Sequence, residues 1–510
     1  MKSATYDTKT LLDKLIRPAS AGGSAPAIIE TGANDRQVSF SDLEILIEQA
    51  QTLLSQAGIV RGDRVLLVSP NSPEVVSTVL AAWRLGALAI PVDFRMTAQE
   101  LVNVAKRLSV KVVASSPALV SESMAGELAH IKVLYLDKIA GTKIEPVESP
   151  GFASLQDPAF LILTSGTTGE PKGALHDLHA LMLNMQELAD MAGLCDRQKV
   201  ILPVPFSHVL GLEVTLAALL NQCTVIFCEM SIEGIIGANN KFKPEFLVGV
   251  PTIYGALLAT PKDIVDLSGA RVILCGGAPL PDSLATDFLA RFQKRLNNGY
   301  GSTESKIIAV NIDGPFLSVG KVVPSCQIKV LGSEGESLSD GEVGEIVICG
   351  DMLMKGYIGQ DEATKEVFDG KCYRTGDIGY MENGYLFISG RAKEMIIVAG
   401  NKVFPSEVEG VLRQCPLCKE VAVIGVAHSR LGQIVKAHIV ISDKETELSK
   451  GLSGNPEEAK AAYSKLKEEF RSFCQINLKR ELRPMEWVFH PADQPLPRTF
   501  SGKIDKKQLS

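Results

Sequence analysis

Thr164-Ser165-Gly166-Thr167-Thr168-Gly169-Glu170-Pro171-Lys172-Gly173 is the stretch on which the reading turns. It follows an apolar run, Phe160-Leu161-Ile162-Leu163, which predicts a buried strand. Gly166 and Gly169 let the backbone bend and bring its N–H groups close to an anion. The Ser and Thr hydroxyls add donors, and Lys172 adds a point charge. The string therefore has the chemistry of a flexible phosphate clamp. It is not a Walker A loop, because the G-x-x-x-x-G-K-[ST] spacing is absent. A solvated Ser/Thr/Gly loop is the plain alternative, and it would be preferred for a string of half the length.

Outward from this stretch, short apolar runs alternate with helix-length amphipathic segments. Arg64 to Val68, Lys111 to Ala114, Val200 to Pro203, Thr224 to Phe227, Phe246 to Gly249 and Val272 to Cys275 read as strands. Pro73 to Leu85 and Asp282 to Phe292 read as helices, the first with Ser72 as N-cap and Pro73 at the first helical position. The alternation predicts an α/β fold with mostly parallel sheets. Ligands in such folds sit at loops beyond strand C-termini. The Thr164 loop, Gly276 to Pro279 and Tyr300 to Glu304 all suit that position.

From about Val319 the runs alternate or sit between Gly-rich turns, which predicts an antiparallel, barrel-like piece. A boundary is expected near 390. Beyond it, Pro405 to Glu409 reads as a helix start with Ser406 as N-cap and Glu409 at the capping-box position. Ser442 to Pro456 is polar and reads as a surface loop, and Glu457 to Leu478 carries a helical apolar stripe.

The chain has 510 residues, more than one core usually serves. Its net charge of −7 argues against nucleic acid as a main partner. No signal core opens the chain and no run approaches the length of a membrane span, so a cytoplasmic enzyme without a transmembrane segment is expected. The ten cysteines are scattered, and Cys223, Cys228, Cys275 and Cys349 lie in apolar runs, so they read as reduced, buried thiols.

Further clusters fit one reaction. Tyr300-Gly301-Ser302-Thr303-Glu304 offers an aromatic face for a base, hydroxyls, and a carboxylate able to hold Mg²⁺ against phosphates. Tyr373-Arg374-Thr375-Gly376-Asp377 ends in an acceptor-only carboxylate suited to a ribose diol. Pro497 to Ile504 carries Lys503 on a Gly/Ser turn. Taken singly, each is also an ordinary turn, surface acid or solvated lysine.

In this order, the clusters resemble the adenylate-forming superfamily of acyl- and aryl-CoA synthetases, nonribosomal-peptide adenylation domains and luciferases. The resemblance runs from Val38 to Leu509. It implies a large N-terminal domain of two layered α/β subdomains plus a β-barrel-like subdomain, and a small mobile α+β C-terminal domain. The expected division is 1–390, a hinge at 391–393, and 394–510. Thr164 to Gly173 resembles the family's phosphate loop. Gly277, Ala278, Pro279, Tyr300, Gly301 and Ser302 are similar to its adenine-site segments, and Asp377 with Arg391 to its ribose contacts. Thr303 would donate to phosphate, Glu304 would ligate Mg²⁺, and Lys503 would bridge the carboxylate and the α-phosphate. His208 would stand beside the acyl carboxylate. The acyl pocket would be lined by His208, Val209, Gly211, Leu212, Val250, Tyr254, Gly277 and Lys306. Lys393 would be the hinge pivot, and Gly400 would line the pantetheine path. Ala399-Gly400 stands where the family often has two glycines.

The implied reaction joins a carboxylic acid to a thiol through acyl-AMP, with ATP, Mg²⁺ and CoA. The apolar pocket favours an uncharged fatty or aromatic acid, and thus fatty acid metabolism as one setting. An acyl carrier protein remains an alternative acceptor, since both thiols are phosphopantetheine arms. A homodimer is compatible with the sequence. A noncatalytic nucleotide-binding relative is opposed by the presence of Lys503, Glu304 and Asp377. An NAD-dependent oxidoreductase is opposed by the lack of a G-x-G-x-x-G after the first strand.

Overall fold

The structure is a computed structural model and describes residues 6–120, 128, 131–164, 171–443, 446–498 and 504–509. These fall into two compact units. One is Met1–Ala278 with Phe288–Ile328 and Ile348–Tyr373; the other is Pro279–Asp287, Lys329–Val347 and Arg374–Ser510.

The first unit holds two sheets. A nine-stranded sheet runs Lys321–Val322, Lys306–Val310, Leu296–Ser302, Val272–Cys275, Phe246–Gly249, Lys199–Ile201, Thr224–Phe227, Pro26–Glu30, Arg36–Ser39. Its central pairs are parallel and its ends antiparallel. A seven-stranded sheet runs Gly356–Tyr357, Lys172–Asp177, Pro158–Thr164, Leu88–Val92, Arg64–Val68, Val112–Ser115, Lys132–Tyr135. Strands covered on both faces read as continuous apolar runs, and Val65 to Val68 and Val112 to Ala114 are buried accordingly. Ser72 caps the helix Pro73–Arg84, accepting from Val75 N, with Pro73 in the first turn as expected.

A five-stranded sheet runs Cys326–Leu331, Gly344–Gly350, Cys372–Glu382, Phe368–Asp369, with Tyr385–Arg391 on Cys372–Glu382. The hairpin around Asn383 is tied within its own unit, where Arg374 pairs with Glu345 and Thr375 Oγ1 donates to Ile346 O at 2.7 Å.

The second unit also carries a sheet ordered Asn401–Val403, Ile396–Val398, Gly432–Ile441, Cys418–His428, with Glu486–His490 parallel on Gly432–Ile441. The long helix Pro456–Asn477 begins at an Asn455–Glu458 capping box. It buries Ala462, Leu466, Phe470 and Cys474, four residues apart and so on one face. Leu466, Phe470 and Cys474 join Val421, Val423, Ala437 and Ile439 in one core.

Three local expectations are corrected. The helix Pro405–Leu412 starts with Phe404 as N-cap, not Ser406, whose Oγ donates to Ser389 O at 2.7 Å. Glu409 accepts from Val423 N at 2.9 Å instead of closing a capping box. The segment read as a loop after Ser442 contains the helix Thr446–Leu452. Cys349 is not a thiol. It forms a disulfide with Cys372, with Cα atoms 4.2 Å apart and a sequence separation of 23. Their strands are neighbours in the sheet, a relation that spacing along the chain does not reveal. Cys223 and Cys275 are buried free thiols, as expected, and Cys228 is half-buried.

Candidate active site

Thr303 and Glu304 stand in the tight turn between the antiparallel strands Leu296–Ser302 and Lys306–Val310. The approach is close: a Cβ on Gly301 would lie 2.1 Å from Lys306 O, so only glycine fits there. Ser302 Oγ accepts from Glu304 N and Ser305 N, both at 3.2 Å, and shapes the turn.

The turn is held from several sides within the first unit. Tyr357 OH donates to Glu304 Oε1 at 2.8 Å, and Met354 N donates to Glu304 O at 2.8 Å. Burial and the neighbouring Glu304 push the Tyr357 hydroxyl well up, so it stays a phenol donor. Lys172 Nζ lies 4.9 Å from the centre of the Tyr357 ring, a cation–π distance. Thr164 and Lys172 are register partners, so the two ends of the predicted phosphate loop are brought together at a strand pair. Ser165, Gly166, Thr167, Thr168 and Gly169 lie outside the described residues, as does Lys503.

Behind the turn is a buried polar group that the sequence reading missed. His176 Nε2 lies 2.8 Å from Thr303 O. A carbonyl only accepts, so Nε2 carries the proton. Burial first, then Lys306, holds the His176 ring well below its ordinary pKa, which keeps it neutral and leaves Nδ1 as an acceptor. Asp177, buried beside it, pairs with Lys355 at 2.7 Å. Glu213 Oε2 accepts from Ile307 N at 3.0 Å, and Asn184 Nδ2 donates to Ile307 O at 2.8 Å. One signal was present: Glu213 is a lone acid in the otherwise apolar helix Val209–Leu220.

The neutral His176 predicts a pH effect. Its folded pKa is depressed, so the unfolded chain takes up a proton that the folded one refuses as pH falls through the unfolded value. Its stabilisation is complete above that value and lost below it. From pH 7 to pH 5 the unfolded ring protonates and the folded one resists, so stability falls. Urea unfolding at both pH values should show a smaller drop in His176→Gln; equal drops would contradict a neutral ring.

The expected acyl-pocket residues separate into two sets. His208 is exposed at the start of helix Val209–Leu220, where its Nδ1 accepts from Leu210 N at 3.4 Å. Val250 is half-buried, and Gly277 is exposed with φ of 76°. Val209 is buried. Three others have interior partners instead of an open face. Tyr254 is fully buried and its hydroxyl donates to Leu274 O at 2.6 Å. Leu212 is core, and Lys306 is fully buried with its ammonium donating to Met352 O. Lys306, expected to line the acyl pocket, therefore points into the interior; the strand it begins turns it inward. Gly211 packs against the preceding loop, since a Cβ there would meet Pro205 O at 2.0 Å. Ala278 and Tyr300 are half-buried at strand ends, and Pro279 is exposed.

In the second unit, Arg391 Nε donates to Asp377 Oδ1 at 2.9 Å across the register pair that joins them. Asp377 is buried and Arg391 exposed. Lys393 is exposed in the short turn Ala392–Glu394. Gly400 is exposed at φ of 86° with open space where a Cβ would be.

No cluster of three or more His, Cys, Asp or Glu suited to a metal occurs among the described residues. A single carboxylate such as Glu304 nevertheless fits Mg²⁺ carried in with phosphates, since Mg²⁺ takes one or two protein oxygens and keeps waters. No helix among the described residues is long and apolar enough to cross a membrane.

The chain belongs to the AMP-binding enzyme family. It matches that family over residues 17–358 and the family's C-terminal domain over 407–503. It is 32% identical over 440 residues to feruloyl-CoA synthase of Amycolatopsis, covering 84% of this chain and 88% of that one. It is 29% identical over 506 residues to the long-chain-fatty-acid–CoA ligase FadD13 of Mycobacterium tuberculosis, covering 94% and 93%. ATP-bound MatB of Rhodopseudomonas palustris shares the fold with a TM-score of 0.84 at 26% identity, covering 98% and 97%. The protein is an acid–thiol ligase of the acyl-CoA synthetase type, with a large N-terminal and a smaller C-terminal domain.

Proposed function

We propose that this ligase activates an uncharged carboxylic acid, fatty or aromatic, and passes it to CoA. The observation that carries the reading is the Thr303–Glu304 turn, held by Tyr357 beside Lys172 and the strand ends that flank the phosphate loop.

In the first step a substrate carboxylate oxygen attacks the α-phosphorus of ATP, and the bond to the bridging oxygen of pyrophosphate breaks. Both reactants are anionic, so the protein must neutralise charge and hold them in line. Thr303 donates to phosphate, and Glu304 would hold Mg²⁺, which would supply charge neutralisation there. Thr164, Ser165, Gly166, Thr167, Thr168, Gly169 and Lys172 hold the outer phosphates. Tyr300 stacks on adenine with Gly277, Ala278 and Pro279, while Asp377 and Arg391 take the ribose. Lys503 bridges carboxylate and α-phosphate.

In the second step a thiolate attacks the acyl carbon and AMP leaves. Before that attack, between the two half-reactions, the C-terminal domain turns about Lys393, withdrawing Lys503 and bringing Gly400 to the pantetheine path. His208, exposed at its helix start, stands by the acyl carboxylate. Apolar Val209 and Val250 support an uncharged acid. The cytoplasm as location belongs to the same reading.

A panel of fatty, aromatic and dicarboxylic acids, mixed with ATP and Mg²⁺ and followed by pyrophosphate release, tests the proposal. Release with uncharged acids and transfer to CoA in preference to a holo carrier protein are expected. Turnover with dicarboxylates alone would overturn the substrate class, and transfer to carrier protein alone would overturn the acceptor.

A further inference from the structure

Lys306 closes the turn that carries Thr303 and Glu304, pairing with Ser302 at the strand ends. Its φ is 62°, in the left-handed region that favours glycine. Glycine would fill the place without strain. A lysine there is a costly choice unless its side chain has work to do.

That side chain runs inward and is fully buried. Its ammonium donates to Met352 O and lies 3.4 Å from His176 Nδ1. With Nε2 of the same ring protonated towards Thr303 O, the contacts form one relay: ammonium to Nδ1, then Nε2–H to the Thr303 carbonyl. Glu213 faces Lys306 from the helix Val209–Leu220; burial pushes its carboxyl up to about 8 while Lys306 pulls it back towards the charged form, and its Oε1 has no hydrogen-bond partner among the described residues. The remaining charges acting on Lys306 are Asp177 and Lys355, already paired with each other. The relay reaches nothing in the solvent. It reaches the backbone of the residue expected to face phosphate.

We propose that Lys306 is a positioning residue for adenylation: from inside the fold, acting through His176, it holds the Thr303 carbonyl and so the aim of the Thr303–Glu304 turn. This rests on the reading of those two residues as nucleotide-facing. Because the amine never touches substrate, its removal should spoil the step that needs the turn and spare the step that does not.

Lys306→Met alone would strand the Glu213 carboxylate, so the paired variant Lys306→Met/Glu213→Gln is the one to measure, with His176→Leu and His176→Gln beside it. Melting curves establish that each is folded. Pyrophosphate release should fall about 10- to 100-fold in the paired variant and in His176→Leu, mainly in kcat. It should return to near the wild-type rate in His176→Gln, whose amide can still donate to Thr303 O. Thioester formation from supplied acyl-adenylate should change little in all of them. Equal slowing of both steps, or unchanged pyrophosphate release in folded variants, would overturn the positioning role. Wild-type protein that releases no pyrophosphate with any acid would bring down the ligase reading as well.

Discussion

Lys503→Ala is expected to lower acyl-adenylate formation by about 10³-fold, because removing one group aimed at developing charge costs this much in a water-excluded site. The attacking carboxylate and the α-phosphate repel each other, and Lys503 is the cation assigned to lie between them. Its segment is anchored on both sides within the second unit. Arg498 and Ile504 form an antiparallel bridge, Asp505 N donates to Pro497 O at 2.7 Å, and Lys506 pairs with Glu394 and Glu409 at 3.1 and 2.8 Å. Lys503 lies in sequence between these anchored residues and is therefore expected to travel with them. Thioester formation from supplied acyl-adenylate should therefore be largely spared, since that step has no triphosphate to neutralise. Separate measurement of the half-reactions decides the matter, and equal loss in both would remove the assignment.

Glu304→Gln should lower adenylation by about 10²-fold and shift its Mg²⁺ dependence to higher concentration, because a neutral amide is a poor partner for a hard dication. The substitution is close to isosteric. Its amide oxygen can still accept from Tyr357 OH, which now donates to the carboxylate at 2.8 Å, so the turn keeps its support. Loss of charge is thus separated from loss of shape. Tyr357→Phe makes the complementary change, keeping the charge and removing the support, and should cost less. A Glu304→Gln enzyme with the wild-type rate and Mg²⁺ response would show that this carboxylate holds no metal.

The candidate site could be nominated from the sequence because its chemistry is local. The hydroxyls, glycines and lysine of 164–173, and the aromatic, hydroxyl and acid of 300–304, are each contiguous, and contiguous groups are present in any reading of the chain. The strand–helix alternation was legible for a similar reason, since burial on both faces imposes apolar runs. What stayed hidden is assembled across long separations. Tyr357 reaches Glu304 from 53 residues away, His176 reaches Thr303 from 127, and Glu213 reaches Ile307 from 94. The Cys349–Cys372 disulfide and the inward turn of Lys306 were misread on the same account.

By itself, then, the order of residues carried the layered α/β architecture through its periodicity, carried the reaction class through a family resemblance of its short polar clusters, and nominated the groups proposed to face nucleotide, because these are properties of neighbours along the chain. Only the tertiary structure decided which of those groups are supported from within and which apparent pocket residues are core. Burial and hydrogen-bond partnership depend on which strands and helices meet, and the pairing of Lys172–Asp177 with Pro158–Thr164 and the packing behind Lys306–Val310 are set by the whole fold.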